Sequence, residues 1–136
     1  MMTNSDEIQI RVRYGETDQM GVVYHGNYAL YLEMGRVEWL RKLGISYKTM
    51  EDNGIMLPVV SLNVNYKQPA FYDDIIFVKT KLKNKPTVKI EFDYEITNSK
   101  GDLLTSASTV LVFVDKKTNR PIKAPKYIMD AICFLD

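Results

Sequence analysis

The sequence predicts an α+β domain in which one antiparallel sheet curls around a single long helix. Three observations lead to this fold class: a long helical pattern of apolar residues comes early in the chain, four segments typical of strands follow it, and the turns between them are short. The chain has 136 residues, 46% of them hydrophobic, which suffices to bury one core. Residues 1–136 are therefore expected to form a single domain.

A strand and a loop are predicted before the long helix. Ile8, Ile10 and Val12 alternate with polar residues, which indicates a short, half-buried strand. Residues 14–26 are rich in glycine and polar side chains, which indicates a loop.

One long helix and one short helix are predicted next. Apolar residues recur at three- and four-residue spacing over about residues 27–43, and Gly44 stands where a glycine usually ends a helix. The apolar side of this helix comprises Tyr28, Tyr31, Leu32, Gly35, Trp39 and Leu43. Arg36 is expected on the polar side. Ser46 is the expected N-cap of a short helix over residues 46–53.

Four strands joined by short turns are predicted after the helices. They cover residues 59–66, 75–82, 88–97 and 103–115. Residues 98–101, of sequence Asn-Ser-Lys-Gly, are a strong hairpin signal. The last strand is apolar or small on both faces from Val110 to Val114, which predicts burial from both sides. A short helix is expected from Lys126 onward.

The dimensions of these elements predict the curvature of the sheet. A helix of about 17 residues is about 25 Å long but only about 10–12 Å thick, whereas five strands form a flat sheet about 24 Å wide. One helix therefore covers the sheet only if the sheet curls around it. The apolar surface that is left over requires another subunit, so the sequence predicts an oligomer.

Composition and charge exclude several classes of protein. A net charge of +1, from 18 basic and 17 acidic residues, gives no electrostatic footprint for nucleic acid. The sequence contains no apolar run of about 18 residues, so it predicts no membrane-spanning helix. One histidine, His25, and one cysteine, Cys133, cannot form the usual closed zinc site or an intrachain disulfide. Residues 1–7 are polar and acidic, which argues against secretion and favours a cytoplasmic location.

The loop before the long helix carries the candidate chemistry. It places Asp18 and the only histidine, His25, directly before a helix N-terminus. Unpaired N–H groups there can polarise a carbonyl oxygen, and a nearby carboxylate can attack the carbon or activate water. From these residues alone an alternative stays open, in which Asp18 only forms a turn beside Gly21 and His25 is a partly buried polar residue.

Residues 17–28, of sequence TDQMGVVYHGNY, resemble the signature of the 4-hydroxybenzoyl-CoA thioesterase family. Its bacterial acyl-CoA thioesterases, including those associated with the Tol–Pal system, carry a similar stretch. The likeness continues at Glu33 and Arg36 in the helix and over residues 65–74. It implies the hotdog fold, a curled five-stranded antiparallel sheet around one long helix. It also implies hydrolysis of an acyl-CoA to a free acid and coenzyme A, without a metal or organic cofactor.

The resemblance implies roles for matching positions. Asp18 would be the catalytic nucleophile or general base, and the backbone N–H of His25 would polarise the thioester carbonyl. The candidate substrate-binding residues are Tyr14, Gly21, Tyr24, Val60, Ser61, Leu62 and Asn63. Gly26 stands where several relatives carry proline or alanine, which affects the predicted start of the helix. The family places this site between the subunits of a homo-oligomer, here a homodimer or homotetramer, with acyl carrier protein as a further candidate partner.

Two other functions and one other site are alternatives to this interpretation. Hotdog hydratases and dehydratases pair Asp and His at a shorter spacing with an Asn-Pro between them, whereas seven residues separate Asp18 from His25. A non-catalytic module that binds acyl-CoA or acyl carrier protein is the second rival. Lys79, Lys81 and Lys83 either meet the phosphates of coenzyme A or form a solvated outer face. Aromatic, short-chain and long-chain acyl groups, including the naphthoyl thioester of menaquinone synthesis, all stay open.

Overall fold

The computed structural model describes residues 4–132, so the single cysteine, Cys133, lies outside the described residues. Its strands are β1 (Ser5–Arg11), β2 (Ile55–Met56), β3 (Val59–Tyr66), β4 (Ile75–Leu82), β5 (Lys89–Asn98), β6 (Leu103–Val112), β7 (Val114–Asp115) and β8 (Arg120–Pro121). Its α-helices are α1 (Tyr28–Lys42), α2 (Tyr47–Asp52) and α3 (Lys126–Ile132). Two 3-10 turns, Tyr14–Glu16 and His25–Asn27, precede α1.

Five strands form one antiparallel sheet in the order β1-β4-β5-β6-β3, and β2, β7 and β8 form a small second sheet. Helix α1 packs against strands β1 and β4 of the main sheet. Trp39 of α1 contacts Phe92 of β5 edge-to-face, with ring centroids 5.2 Å apart. The predicted α+β class, with one antiparallel sheet and one long helix, is confirmed. No helix among residues 4–132 is both long enough and apolar enough to cross a bilayer.

The prediction of one continuous strand over residues 103–115 is wrong, because the strand is divided at Phe113. The Phe113 N–H donates to the Val88 carbonyl at 3.0 Å, and its own carbonyl accepts from Ile122 at 2.8 Å. The chain therefore leaves the main sheet after Val112 and joins the small sheet. Val110 and Val112, expected to be buried, are only half-buried in the single chain.

Arg36 is the second correction, since it was assigned to the polar side of α1 but only 5% of it is exposed. Its Nε donates to the Tyr47 hydroxyl at 3.1 Å, and its Nη2 lies 4.0 Å from Glu33. A buried charge is stable only when it is paired and hydrogen-bonded. Helical spacing alone does not show that a long side chain has such partners beneath the helix.

Strand β3 is an edge strand with both faces open. Within residues 4–132 it pairs only with β6, and large apolar side chains along it are exposed, among them Val60 (59%), Leu62 (47%) and Tyr66 (53%). An exposed apolar edge strand is a ready template for pairing with another strand. The surface left uncovered by α1 thus lies along β3.

Of the three alternating lysines, Lys79 and Lys81 lie on the exposed face of β4, and Lys83 follows the last residue of this strand. Lys79 stands opposite Glu7 of β1 and Glu95 of β5, and Lys81 stands opposite Asp93. Directly opposite charges on one face of a sheet stabilise the pairing of strands. The structure therefore favours a solvated, charge-compensated face over a phosphate site for this alternation.

Gly35→Ala is expected to destabilise the protein because α1 crosses β4 closely at this residue. A Cβ at position 35 would lie 2.5 Å from Thr80 Oγ1 and 3.0 Å from Val78 Cγ1. Overpacking of this kind costs about 1–3 kcal/mol, of which the higher helix propensity of alanine returns at most about 1 kcal/mol. Thermal unfolding measures the change. Gly15→Ala, where nothing lies within 4 Å of the added Cβ, is the control; an equal melting temperature for both variants would contradict close packing at Gly35.

Candidate active site

The loop between β1 and α1 folds back on itself as a tight turn. Thr17 pairs with Val23, the Asp18 N–H donates to the Val22 carbonyl at 2.9 Å, and the Gly21 N–H donates to the Asp18 carbonyl at 3.0 Å. Gly21 has a φ of 78°, a left-handed conformation that glycine adopts without a steric penalty. The loop geometry therefore depends on a glycine at this position.

Asp18 stands at the start of this turn with an exposed side chain. One carboxylate oxygen, Oδ1, accepts a hydrogen bond from the Met20 N–H at 2.8 Å, as in an Asx turn. Among residues 4–132, the second oxygen, Oδ2, has no hydrogen-bonding partner. Asp18 thus forms a turn and still presents one oxygen, so the turn-forming role does not exclude a chemical one.

His25 opens the helical segment that continues into α1. The 3-10 turn His25–Asn27 runs directly into Tyr28 of the α-helix, and the first N–H groups of a helix lack an intrahelical acceptor and carry partial positive charge. The His25 carbonyl accepts from the Tyr66 hydroxyl at 3.2 Å. The end of β3 is thereby tied to the helix start, which fixes the direction of these amides.

Asp18 and His25 share one cavity of about 330 Å³. Its walls are formed by Asp18, Val22, Val23, His25, Tyr28, Tyr66, Lys67, Gln68 and Pro69. Asp18 and the residue that opens the helical segment thus line the same small space. An electrophilic carbonyl held there would have a potential nucleophile or base on one side and hydrogen-bond donors at its oxygen.

The other candidate residues are not among those that line this cavity in the single chain. Tyr14 is 78% exposed and its ring contacts Tyr72 edge-to-face. Tyr24 is 48% exposed and its ring centroid lies 4.4 Å from that of His25. Residues 60–63 occupy the opposite end of β3 from Tyr66.

A second, larger cavity of about 670 Å³ lies at that opposite end. It is bounded by α2, by the small sheet and by the start of β3, and most of its walls are apolar, among them Met50, Ile55, Met56, Leu57, Val60 and Val114. Of the candidate substrate-binding residues only Val60 lines it. The six residue steps from Val60 to Tyr66 span about 20 Å of extended strand, so the two cavities of one chain are well separated.

Sequence reasoning missed Glu16, the residue that holds the loop together. Its carboxylate accepts from the Arg13 N–H at 2.8 Å and from the Tyr31 hydroxyl at 2.9 Å, and its carbonyl accepts from Tyr24 N–H at 2.9 Å and Asn27 Nδ2 at 2.8 Å. Tyr24 and Asn27 lie at the start of the helical segment and Tyr31 lies within α1, whereas Arg13 precedes the first 3-10 turn. The only sequence signal was a carboxylate three residues after an arginine, which occurs on many surfaces.

Tyr66, Lys67 and Gln68 were also missed as cavity residues. They follow one another where β3 ends, and the N–H groups of Lys67 and Gln68 both donate to the Leu104 carbonyl. This shared acceptor turns the chain at the end of the strand and places the three residues on the cavity wall. Alternation along β3 indicates a strand but does not indicate which of its ends reaches the helix start.

Glu16→Gln is expected to lower the free energy of unfolding by about 1–2 kcal/mol at pH 7, because it removes a charged acceptor from Arg13 and Tyr31. Burial alone would raise the pKa of Glu16, but the hydrogen bonds from Arg13 and Tyr31 outweigh burial and hold that pKa below its usual value. The stabilisation is therefore present above the unfolded-state pKa of about 4.3 and is lost as the pH falls through the lower folded-state pKa.

Thermal unfolding of wild type and Glu16→Gln between pH 3 and pH 7 measures this effect. Glu38→Gln is the control, because Glu38 pairs with Arg41 on an exposed helix surface, where an ion pair contributes about 0–1 kcal/mol. A Glu16→Gln difference that is no larger than the control, or that persists unchanged to pH 3, would contradict the account of Glu16.

No group of three or more His, Cys, Asp or Glu side chains within residues 4–132 lies close enough together to hold a metal ion. The chemistry available in the smaller cavity is that of one carboxylate, backbone amides, the tyrosine hydroxyls and the cationic and amide side chains of Lys67 and Gln68.

Comparison with known proteins adds independent findings. Residues 12–132 match the thioesterase-like superfamily. The putative acyl-CoA thioesterase YneP of Bacillus subtilis is 39% identical over 122 residues, covering 90% of this chain and 88% of the relative. The acyl-CoA thioester hydrolase YbgC of Escherichia coli is 32% identical over 120 residues, covering 88% of this chain and 90% of the relative.

Solved structures give the same result. A DHNA-CoA thioesterase from Staphylococcus aureus superposes with a TM-score of 0.87 at 44% identity, covering 93% of this chain and 85% of that one. A 4-hydroxybenzoyl-CoA thioesterase superposes with a TM-score of 0.84 at 24% identity, over 95% of this chain and 99% of that one. The second likeness shows the fold alone.

Proposed function

Since this chain belongs to the thioesterase-like superfamily, has its hotdog fold and hydrolyses acyl-CoA to a free acid and coenzyme A, we propose that Asp18 is its catalytic carboxylate. The backbone N–H of His25 polarises the thioester carbonyl. The single observation that carries this proposal is the cavity lined by both Asp18 and His25, the first residue of the helical segment. The rival interpretations as a hydratase or as a non-catalytic binding module are set aside by the match to thioester hydrolases.

The proposed reaction begins with the thioester oxygen at the helix amides. As the carbon is attacked, negative charge builds up on that oxygen, and fixed donors there stabilise the transition state more than the substrate. Asp18 either attacks the carbon, giving an anhydride that water then hydrolyses, or removes a proton from an attacking water. In the anhydride route coenzyme A leaves as a thiolate that takes its proton from water; in the water route Asp18 passes the proton that it removed to the departing sulfur. The step uses no metal or organic cofactor because backbone amides do the polarising.

A second copy of the chain completes the site in this proposal. Two β3 strands paired antiparallel about a two-fold axis would extend the sheet and cover the exposed edge. The start of one strand then meets the end of the other, so that Val60 of the partner subunit comes beside Tyr66 and His25. The larger apolar cavity of the partner subunit would thus adjoin Asp18 and receive the acyl group. Residues 60–63 become substrate-lining through this pairing.

A cationic hairpin at the rim of the larger cavity supports a phosphate-bearing substrate. Lys116, Lys117 and Arg120 lie on the β7–β8 hairpin, whose Asn119 and Pro121 line the cavity. Within the described part of the chain none of the three cations forms a salt bridge. Unpaired lysine and arginine side chains bind phosphate oxygens through charge-assisted hydrogen bonds. We assign the phosphates of coenzyme A to this hairpin; acyl carrier protein as a partner and a cytoplasmic location stay predictions.

Release of free thiol from a panel of acyl-CoA thioesters tests the proposed function. The panel spans benzoyl, hydroxybenzoyl, short-chain and long-chain acyl groups. We expect turnover of at least one class, with no added metal. Binding of acyl-CoA without any release of thiol would contradict hydrolysis and would favour a binding module.

His25→Ala is expected to change kcat by only a few-fold, because the backbone N–H and not the imidazole polarises the carbonyl. The imidazole is exposed and contacts the Tyr24 and Tyr66 rings, so a modest loss of packing is the only expected cost. Thiol release under saturating substrate measures kcat. A loss as large as that expected for Asp18→Asn would show that the side chain itself takes part.

A further inference from the structure

The smaller cavity is lined by one cationic residue as well as by the carboxylate of Asp18. Lys67 is the only lysine or arginine among the described residues that line this cavity. Within residues 4–132, Lys67 forms no salt bridge with Asp18 or with any other carboxylate. A cavity of about 330 Å³ is thus bordered by an anion and a cation that do not neutralise each other.

The backbone at Lys67 is held close to the start of the helical segment. Its N–H donates to the Leu104 carbonyl at 2.9 Å, and the Gln68 N–H donates to the same oxygen at 3.0 Å. The preceding residue, Tyr66, donates its hydroxyl proton to the His25 carbonyl at 3.2 Å. A lysine carries its ammonium on a flexible four-carbon stem, which can span most of a cavity roughly 7 Å across. The ammonium of Lys67 can therefore reach a ligand in the cavity while its backbone stays fixed.

The groups around the reacting carbon leave one part of the cavity wall for the sulfur. In the proposed reaction the thioester oxygen lies at the His25 N–H, the attack comes from the Asp18 side, and the acyl group extends into the apolar cavity of the partner subunit. The sulfur is then directed towards the polar wall that Lys67 and Gln68 form. The ammonium of Lys67 is thus placed to meet the sulfur, on which negative charge develops last.

We propose that the ammonium of Lys67 stabilises the sulfur of coenzyme A as it departs. When the C–S bond breaks, its electron pair stays on the sulfur, and this negative charge pairs with the ammonium until water or Asp18 supplies a proton. Lys67 keeps its own proton throughout. Because the charge on sulfur is present in the transition state and absent from the bound thioester, the ion pair lowers the barrier without tightening substrate binding. The inference rests on the proposed function, because it takes Asp18 as the attacking or basic group.

Thioesters of one acyl group with different leaving thiols test this role in Lys67→Gln. The N-acetylcysteamine thioester keeps the alkyl sulfur of coenzyme A without its phosphates, whereas the thiophenyl ester releases a more acidic thiol that departs readily without help. We expect kcat/KM to fall about tenfold for the first, equivalent to about 1.4 kcal/mol, and by about twofold at most for the second. With the matching acyl-CoA, kcat is expected to fall about tenfold at unchanged KM. Lys67→Arg retains the cation and is expected to recover most of the lost rate.

Lys100→Gln is the matched control, because Lys100 is exposed in the turn between β5 and β6 and its loss is expected to change none of these rates. Equal losses for the two leaving groups in Lys67→Gln would overturn the inference, since the lysine would then only shape the cavity wall. A raised KM for acyl-CoA at unchanged kcat would also overturn it, because Lys67 would then bind phosphate. Either result beside an inactive Asp18→Asn variant would leave the proposed function standing, so the two failures are distinguishable.

Discussion

Replacing Asp18 by asparagine is expected to lower kcat by about a hundredfold or more. An amide has nearly the shape of the carboxylate, so the hydrogen bond from Met20 N–H to the side-chain oxygen is retained and the turn keeps its geometry. The variant loses only the anionic oxygen that would attack the thioester carbon or take a proton from water. KM is expected to change little, because the apolar cavity and the cationic hairpin are untouched.

Thiol release under saturating and limiting acyl-CoA measures both constants for this variant. Asp102→Asn is the matched control, since Asp102 lies in the β5–β6 hairpin and, among residues 4–132, accepts hydrogen bonds only within that turn. If the Asp18→Asn protein keeps both its melting temperature and its kcat, the carboxylate of Asp18 takes no part in the reaction.

Leu62→Lys is expected to yield a monomer with at least tenfold lower activity. Leu62 stands in the middle of β3, is 47% exposed in the single chain and pairs across the sheet with Thr109. A lysine there brings two like charges together across the two-fold axis and blocks apolar contact at the edge. Because the proposed acyl pocket belongs to the partner subunit, a monomer lacks half of the site.

Sedimentation velocity and thiol release over a range of protein concentration measure the effect of Leu62→Lys. Gln9→Lys makes the same charge change on β1, the opposite edge strand of the sheet, and is expected to leave both assembly and activity unchanged. A wild-type protein that is monomeric and fully active at micromolar concentration would contradict the shared site.

Strong local patterns predicted most of the fold. The bounds of β3 and β4 match the prediction, because both strands alternate and are followed by proline or asparagine near their ends. Helix α1 was predicted to within one residue at each end, since Gly44 terminates it. Two-residue strands such as Ile55–Met56 show no periodicity, so the small sheet that bounds the larger cavity could not be predicted.

The proximity of Asp18 and His25 could be predicted from the sequence, whereas the contacts that residues of the candidate site make across the fold could not. Asp18 and His25 stand in one short loop, so the sequence already brings them close. Glu16 is hydrogen-bonded to Tyr31, 15 residues further along the chain, and His25 is hydrogen-bonded to Tyr66, 41 residues further along. Burial of Arg36 depends on Tyr47 in another helix. No local pattern indicates such pairings, which form only when the loop, the two helices and the end of β3 pack together.

A crystal structure of the Asp18→Asn variant with an acyl-CoA bound tests the central claim most directly. We expect the thioester oxygen within about 3 Å of the His25 N–H, the side chain at position 18 about 3–3.5 Å from the thioester carbon, and the acyl group in the cavity of the partner subunit. A thioester bound with its carbonyl remote from the helix amides, or wholly within one subunit, would contradict the account.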